Sequence, residues 1–194
     1  MNIDQIGDTN KVGTSQTRAT FTGTSMTVDI DQVGDSNTMA ASVAQGNSTS
    51  FTASTTGDSN TTTLALGASG DVANTDFDYA ATGDSNTVTF TQGAAATATA
   101  GNQDIVIVGN SNDLNATCEV VGCINNWDID GDENDIDTTQ TGNSDHSITA
   151  EIDGSTNNID IDQTNSTGSV SDVVVITSTT SNATIDIDQC TSGC

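Results

Sequence analysis

Proline is absent from all 194 residues, basic side chains number only 2 (Lys11 and Arg18), aromatics make up 3% of the chain, and histidine occurs once. Proline cannot donate to a backbone ladder, so its absence suits a chain whose segments are nearly all interior strands. Against those basic residues stand 27 acidic ones, a formal net charge of −25, which argues against nucleic acid and anionic membrane as partners. With 32% hydrophobic residues and few aromatics the chain cannot fill the thick core of an ordinary domain of this length, whereas a thin slab needs less filling. Apolar runs reach only four residues, as in Ile105–Val108. Neither a membrane-inserting helix nor a signal peptide is expected, and if the protein is exported the numbering describes a processed chain that includes Met1. The single histidine, His146, sits in a connection among acidic and hydroxyl neighbours and reads as a polar loop residue. Serines and threonines are too numerous to mark a nucleophile, so no catalytic residue and no enzyme is expected.

What the sequence does have is a repeat. A turn of the form Gly-Asp-Ser-Asn or a close variant begins at Gly7, Gly34, Gly57, Gly83, Gly109, Gly131, Gly154 and, degenerately, at Thr180, with steps of 27, 23, 26, 26, 22, 23 and 26 residues. The turns thus fall near 7–10, 34–37, 57–60, 83–86, 109–112, 131–134, 154–157 and 180–183. Four residues before each start stand Ile3, Ile30, Ala53, Tyr79, Ile105, Trp127, Ala150 and Ile176, all apolar. One residue further back only Val175 is apolar. Five residues after the start come Val12, Met39, Thr62, Val88, Leu114, Ile136, Ile159 and Ile185, and the next position is almost wholly small or polar. A face that flips at every step has the period of a strand. High Thr, Asn, Ser and Gly content with strong net charge is compatible with disorder, but disorder has no reason to hold parity across the repeats. Each repeat is expected to be strand, tight turn, strand. One such unit cannot bury its own apolar face and must stack on its neighbours at about 4.8 Å. The expected fold is all-β, a single two-layer β-solenoid over 1–194 of about eight repeats. Its looser connections, for example Thr17 to Thr27 and Glu119 to Ile124, vary in length.

Glycine tolerates positive φ, and Asp, Ser and Asn bond back to local backbone, which suits them to the turn. Three residues after the turn start stand Asn10, Asn37, Asn60, Asn86, Asn112, Asn134 and Asn157, on the inward parity. Nine after it stand Gln16, Gln92, Gln140, Gln163 and Gln189, and two before it Gln5 and Gln32. Inward amides at matching offsets of stacked strands form ladders in which each side chain bonds the copies above and below.

The pattern Gln-x-Gly-x-x-Asn with a further Gln six residues after the Asn resembles the curlin repeat of the major subunit of curli fibres. Gln5-Ile6-Gly7-Asp8-Thr9-Asn10 with Gln16 carries it in full, and Gln32-Val33-Gly34-Asp35-Ser36-Asn37 carries its first half. The resemblance implies a secreted β-solenoid subunit that polymerises into extracellular, amyloid-like fibres of a biofilm matrix.

Monomeric solenoids hide their outer coils under caps. Here the first strand is expected to begin by Asn2 or Ile3, and only Cys190–Cys194 follow the last strand at Gln189, so uncapped ends are expected. Two unpaired edges of matching geometry make a head-to-tail contact that need not close. The expected partner is therefore a second copy of the chain.

Asp8, Asp35, Asp58 and Asp84 follow the turn glycine in the first four repeats, while Asp137, Asp160 and Asp186 share an outward site in the last three, with Asp162 and Asp188 two residues on. Stacked coils bring such carboxylates about 5 Å apart, a repulsion on the order of 1 kcal/mol per pair in water. No cofactor is required, but calcium is the candidate ion for these rows, the alternative being a solvated acidic coat. Asp128-Ile129-Asp130-Gly131-Asp132 imitates the start of an EF-hand loop but places glycine too early, and its residues already belong to a strand and turn. The cysteines form two local pairs, Cys118–Cys123 and Cys190–Cys194, and are expected to be disulfides of an oxidising compartment.

The expected function is that of a structural subunit of a self-assembling extracellular filament. Two alternatives compete with it. One is an ice-binding solenoid using Thr61-Thr62-Thr63 and Thr87-Val88-Thr89-Phe90-Thr91. The other is a surface adhesin whose contact residues lie in the long connections, including Phe21 and the tract Gly93 to Gly101.

Overall fold

The structure, a computed structural model, describes residues 1–6, 9–13, 19–22, 25–34, 36–47, 50–57, 59–66, 72–73, 76–83, 85–93, 102–119, 122–142, 146–165 and 173–191. Among them are 18 strands and no helix. Eight form one sheet: β1 (Asn2–Ile6), β4 (Thr27–Val33), β6 (Ser50–Thr56), β9 (Asp76–Thr82), β11 (Asn102–Val108), β13 (Ile124–Asp130), β15 (Ser147–Asp153) and β17 (Val173–Thr179), paired in that order. The other sheet runs β2 (Thr9–Lys11), β5 (Ser36–Asn47), β7 (Ser59–Leu66), β10 (Ser85–Gln92), β12 (Ser111–Cys118), β14 (Glu133–Gly142), β16 (Thr156–Asn165) and β18 (Asn182–Thr191), with β3 (Ala19–Thr22) and β8 (Val72–Ala73) both added to β5.

All pairings are parallel. The strands before and after each turn belong to different sheets and face each other across the core. The chain is therefore a two-layer β-solenoid of stacked arcs, as the repeat period and alternation predict.

Register follows the turn offset. Ile3, Ile30, Ala53, Tyr79, Ile105, Trp127, Ala150 and Ile176 form one unbroken column. Met39, Thr62, Val88, Leu114, Ile136, Ile159 and Ile185 form another in the opposite sheet. Thr62, the one polar member, is 1% exposed and shares a hydrogen bond of 2.5 Å with the Tyr79 hydroxyl, which also bonds Thr55 at 2.9 Å. Burial of its ring and hydroxyl pushes the Tyr79 pKa up.

The thin core changes character along the stack. The early coils carry a run of rings: Phe21 meets Phe51 at 6.1 Å, Phe51 meets Phe77 at 5.7 Å and Phe77 stacks on Phe90 at 4.9 Å. Where Phe51 and Phe77 stand, the next two coils of the same column place Gln103 and Asn125, and the one after places Ile148.

Two expectations are corrected here. Ala19–Thr22, assigned to a loose connection, is the strand β3 on β5, because Phe21 needs cover and finds it against Phe51. Phe21 is 7% exposed and so presents no adhesive surface; residues 94–101 of the other proposed contact tract lie outside the described residues.

The turn glycines also serve a purpose other than the one their φ freedom suggested. Of the described ones only Gly34 has a positive φ. Instead, a Cβ built on Gly57, Gly83, Gly109, Gly131 or Gly154 would fall 1.7 to 2.1 Å from the carbonyl oxygen of the preceding turn glycine. The turns stack so closely that no side-chain carbon fits, and the amides of Gly34, Gly57, Gly83, Gly109 and Gly131 each donate to the following coil at 2.9–3.0 Å. Gly109→Ala is expected to destabilise the fold by about 3 kcal/mol, since the obstructing atom is backbone on a neighbouring coil and cannot swing aside. A urea titration that left the unfolding midpoint unchanged would contradict this packing.

Candidate functional site

Three features recur along the stack and set what the molecule can do: amide ladders inside it, acidic columns outside it and an uncovered last coil.

The asparagine ladder forms as the offset predicts. Nδ2 of Asn37, Asn60, Asn86, Asn112 and Asn134 donates to Oδ1 of the asparagine in the next coil at 2.7–2.9 Å. The same nitrogens reach backbone carbonyls across the turn: Thr56, Thr82, Val108, Asp130 and Asp153, at 2.6–3.2 Å. Each of the six asparagines from Asn37 to Asn157 is at most 2% exposed. An amide is the side chain that both donates and accepts along the stacking axis, so one residue type satisfies itself indefinitely. In the last coil Ala183 takes the asparagine position and Asn157 turns to the Ser178 hydroxyl at 3.5 Å. The side chain of Asn10 lies outside the described residues, as does Gln16.

The glutamine ladder is only partly as expected. Gln163 donates to Gln140 at 2.7 Å and Gln189 to Gln163 at 2.6 Å, and Gln32 donates to Gln5 at 2.8 Å. Gln92 does not join them: Cys118 occupies the intervening coil, and Gln92 accepts from Gln103 across the core. Gln103 lies six residues before its turn start, an offset at which Asn125 of the next coil is the one other amide and the remaining repeats are apolar.

Cys118 and Cys123 are joined, with sulfurs 1.90 Å apart, closing the short connection between β12 and β13. Cys190 is disulfide-bonded, and Cys194, its expected partner, lies outside the described residues. His146 is not the polar loop residue its neighbours suggested. It is wholly buried, and its Nδ1 accepts from the Cys123 amide at 3.2 Å, because the inward parity of β15 continues one residue ahead of the strand.

Of the acidic candidates, Asp8, Asp35, Asp58 and Asp84 lie outside the described residues. Asp137, Asp160 and Asp186 do stack in one column, with Asp162 and Asp188 in a second. No cluster of three or more acidic, histidine or cysteine side chains with the geometry to hold a metal ion occurs among the described residues.

Elsewhere the outward rows contain neutral donors. Asn126 donates to Asp104 at 2.7 Å, Asn158 to Asp135 at 2.9 Å, Ser54 to Asp31 at 2.5 Å, and Thr179 to Asp153. The interleaving is legible once the register is known, since each donor has the same turn offset as its acceptor one coil earlier.

The like-charged columns leave their mark on titration. Partial desolvation and then the charges of Asp162, Asp137, Asp186 and Asp188 raise the Asp160 pKa. Desolvation and the neighbours Asp76 and Asp104 raise Asp78, and desolvation with Asp135 and Asp137 raises Asp113.

At the far end of the stack the inner columns are uncovered. Ile185 and Ile187 are 45% and 40% exposed, whereas Ile159 and Ile161, directly beneath them in register, are 1% and 0% exposed. Among the described residues no strand pairs with the outer edges of β17 and β18.

No protein-family model, curated protein or solved structure matches this chain.

Asn112→Asp removes both N–H donors from a buried rung and puts a carboxylate there, so it is expected to cost about 3 kcal/mol or more at neutral pH; an unshifted denaturation midpoint would refute the ladder's contribution. For Asp78, Asp113 and Asp160 the folded state holds its protons more tightly than the unfolded chain. Stability is therefore expected to fall as pH rises through their raised values and to grow on acidification from about pH 7 to about pH 4. Thermal melts over that range check the sign.

Proposed function

We propose that this chain is the structural subunit of a self-assembling extracellular filament, growing when the first coil of one copy stacks on the last coil of another. The observation that carries the reading is the uncovered end: Ile185 and Ile187 continue buried columns of the core yet remain 40–45% exposed. Full burial of such a side chain is worth about 1.5–3 kcal/mol, so covering the pair would contribute on the order of 2 kcal/mol, besides the backbone hydrogen bonds of two strand edges. The first coil presents the complementary features, with Ile3 and Val12 packed against the core and the outer edges of β1 and β2 paired with no described strand. Head-to-tail stacking repeats without closing and so builds a thread, not a ring or dimer. The resemblance of Gln5–Gln16 to the curlin repeat extends the reading to a secreted matrix fibre, with the internal disulfide suited to an oxidising exterior.

A second reading, ice binding, draws on one observation. The outer face of β7 and β10 places Thr61 beside Thr87 and Thr63 beside Thr89, a small regular grid of hydroxyl and methyl groups. It ends where Asp113 and Asn115 follow in the same columns.

Negative-stain microscopy of the purified chain separates the two. Long threads one solenoid wide are expected; discrete particles, together with faceted ice growth, would transfer the case to the second reading. The variant I185K/I187K is expected to stay folded, as both positions are already half-exposed, and to lower filament yield at least tenfold. Undiminished thread formation by a folded I185K/I187K would refute docking at this end.

A further inference from the structure

We infer that the junction between successive chains is charge-paired, the incoming first coil docking in repeat register so that Lys11 comes to lie beside Asp186. This rests on the filament reading and specifies its partner surface as the first coil of a second copy.

Charge is distributed unevenly along the stack. Residues 1–26 contain both basic side chains, Lys11 and Arg18, and only two acidic ones, Asp4 and Asp8, so the first coil is formally neutral in a chain of net charge −25. Residues 124–165 contain 11 of the 27 acidic residues, and the last coil adds Asp186 and Asp188. Two such molecules repel along most of their surfaces. The first coil is the end at which a strongly acidic stack can be approached without added like charge.

The register of the repeat sets what meets what. In continuation of the columns, Ile3 falls over Ile176 and Val12 over Ile185. The glutamine ladder does not cross the junction in this register, because the column that ends at Gln189 begins in the first coil with Phe21, the partner of Val43. Lys11, which ends the edge strand β2 and pairs with Thr38 on its covered side, has the offset of Thr184. Asp186 lies two residues further along β18, on the same face. One strand spacing and two residues of rise separate the two positions by about 8 Å, within reach of a lysine and a carboxylate. Asp186 is exposed and terminates the column that begins at Asp137 and Asp160. A cation placed there meets a row of carboxylates with no neutral donor between them.

Charge is also needed at this junction more than at any internal one. Within the chain the asparagine ladder enforces alignment, but it stops at Asn157 because Ala183 follows. Across the junction, alignment falls to the apolar columns and the Lys11–Asp186 pair.

Two charge reversals test this by seeded elongation at low ionic strength, with circular dichroism showing that each variant is folded. K11D alone sets like charges together at every junction, as does D186K alone, and each is expected to elongate about 5- to 10-fold more slowly than the unaltered chain. In an equimolar mixture the first coil of each variant finds an opposite charge on the last coil of the other. An alternating copolymer is therefore expected, at a rate within about twofold of the unaltered chain. A mixture no faster than either variant alone, or single variants at the unaltered rate, would overturn the charge-paired junction while leaving the filament intact. Failure of the unaltered chain to form threads would instead overturn the filament reading and the junction with it.

Discussion

The close approach of successive turns is the constraint from which the rest of the molecule follows. Each turn glycine from Gly57 to Gly154 lies so near the carbonyl of the preceding one that a methyl group would overlap it, and each turn amide from Gly34 to Gly131 is given to the next coil. With the turns in contact, the asparagine three residues on comes within hydrogen-bond distance of its copy, and the inward positions of both strands fall into straight columns. Register is thereby set once per coil at the narrow edge of the slab. At the wide edge, connections of different length can be tolerated without slippage, because a slip of one residue would send every inward side chain outward.

This arrangement makes charge the chief cost of the fold. Parallel in-register stacking brings like residues together, favourably for amides and unfavourably for carboxylates. The molecule moderates the second effect by ending several acidic runs with Asn, Ser or Thr, as Asn126 does after Asp78 and Asp104, and Asn158 after Asp113 and Asp135. The columns Asp137–Asp160–Asp186 and Asp162–Asp188 lack that relief, and they lie at the end where the core columns are uncovered. Apolar exposure and unrelieved charge thus coincide at one terminus, while the only cations reside at the other.

Much of this was legible in the residues. The eight apolar residues four before each turn start are one physical column, the asparagines are a ladder, and Cys118–Cys123 is the local bridge its spacing suggested. The misses have two causes. Gln92 bonds Gln103 from the facing sheet, Phe21 packs on Phe51 through a strand added beside β5, and His146 lies buried against the Cys123 amide. The first two depend on a contact across the core, which has no repeat from which to read it; His146 follows the inward parity of β15 one residue ahead of the strand, where the connection hides that parity from view.

The sequence by itself determined the axial order: the period, the parity of every strand, and which residues stack on their own kind. It could do so because parallel in-register pairing is a rule of offsets, and offsets are visible in a string of letters. Only the tertiary structure decided what faces what across the slab, how tightly the turns nest, and that glycine is required there for space and not for φ. Those depend on distances of a few ångströms between segments that no periodicity relates.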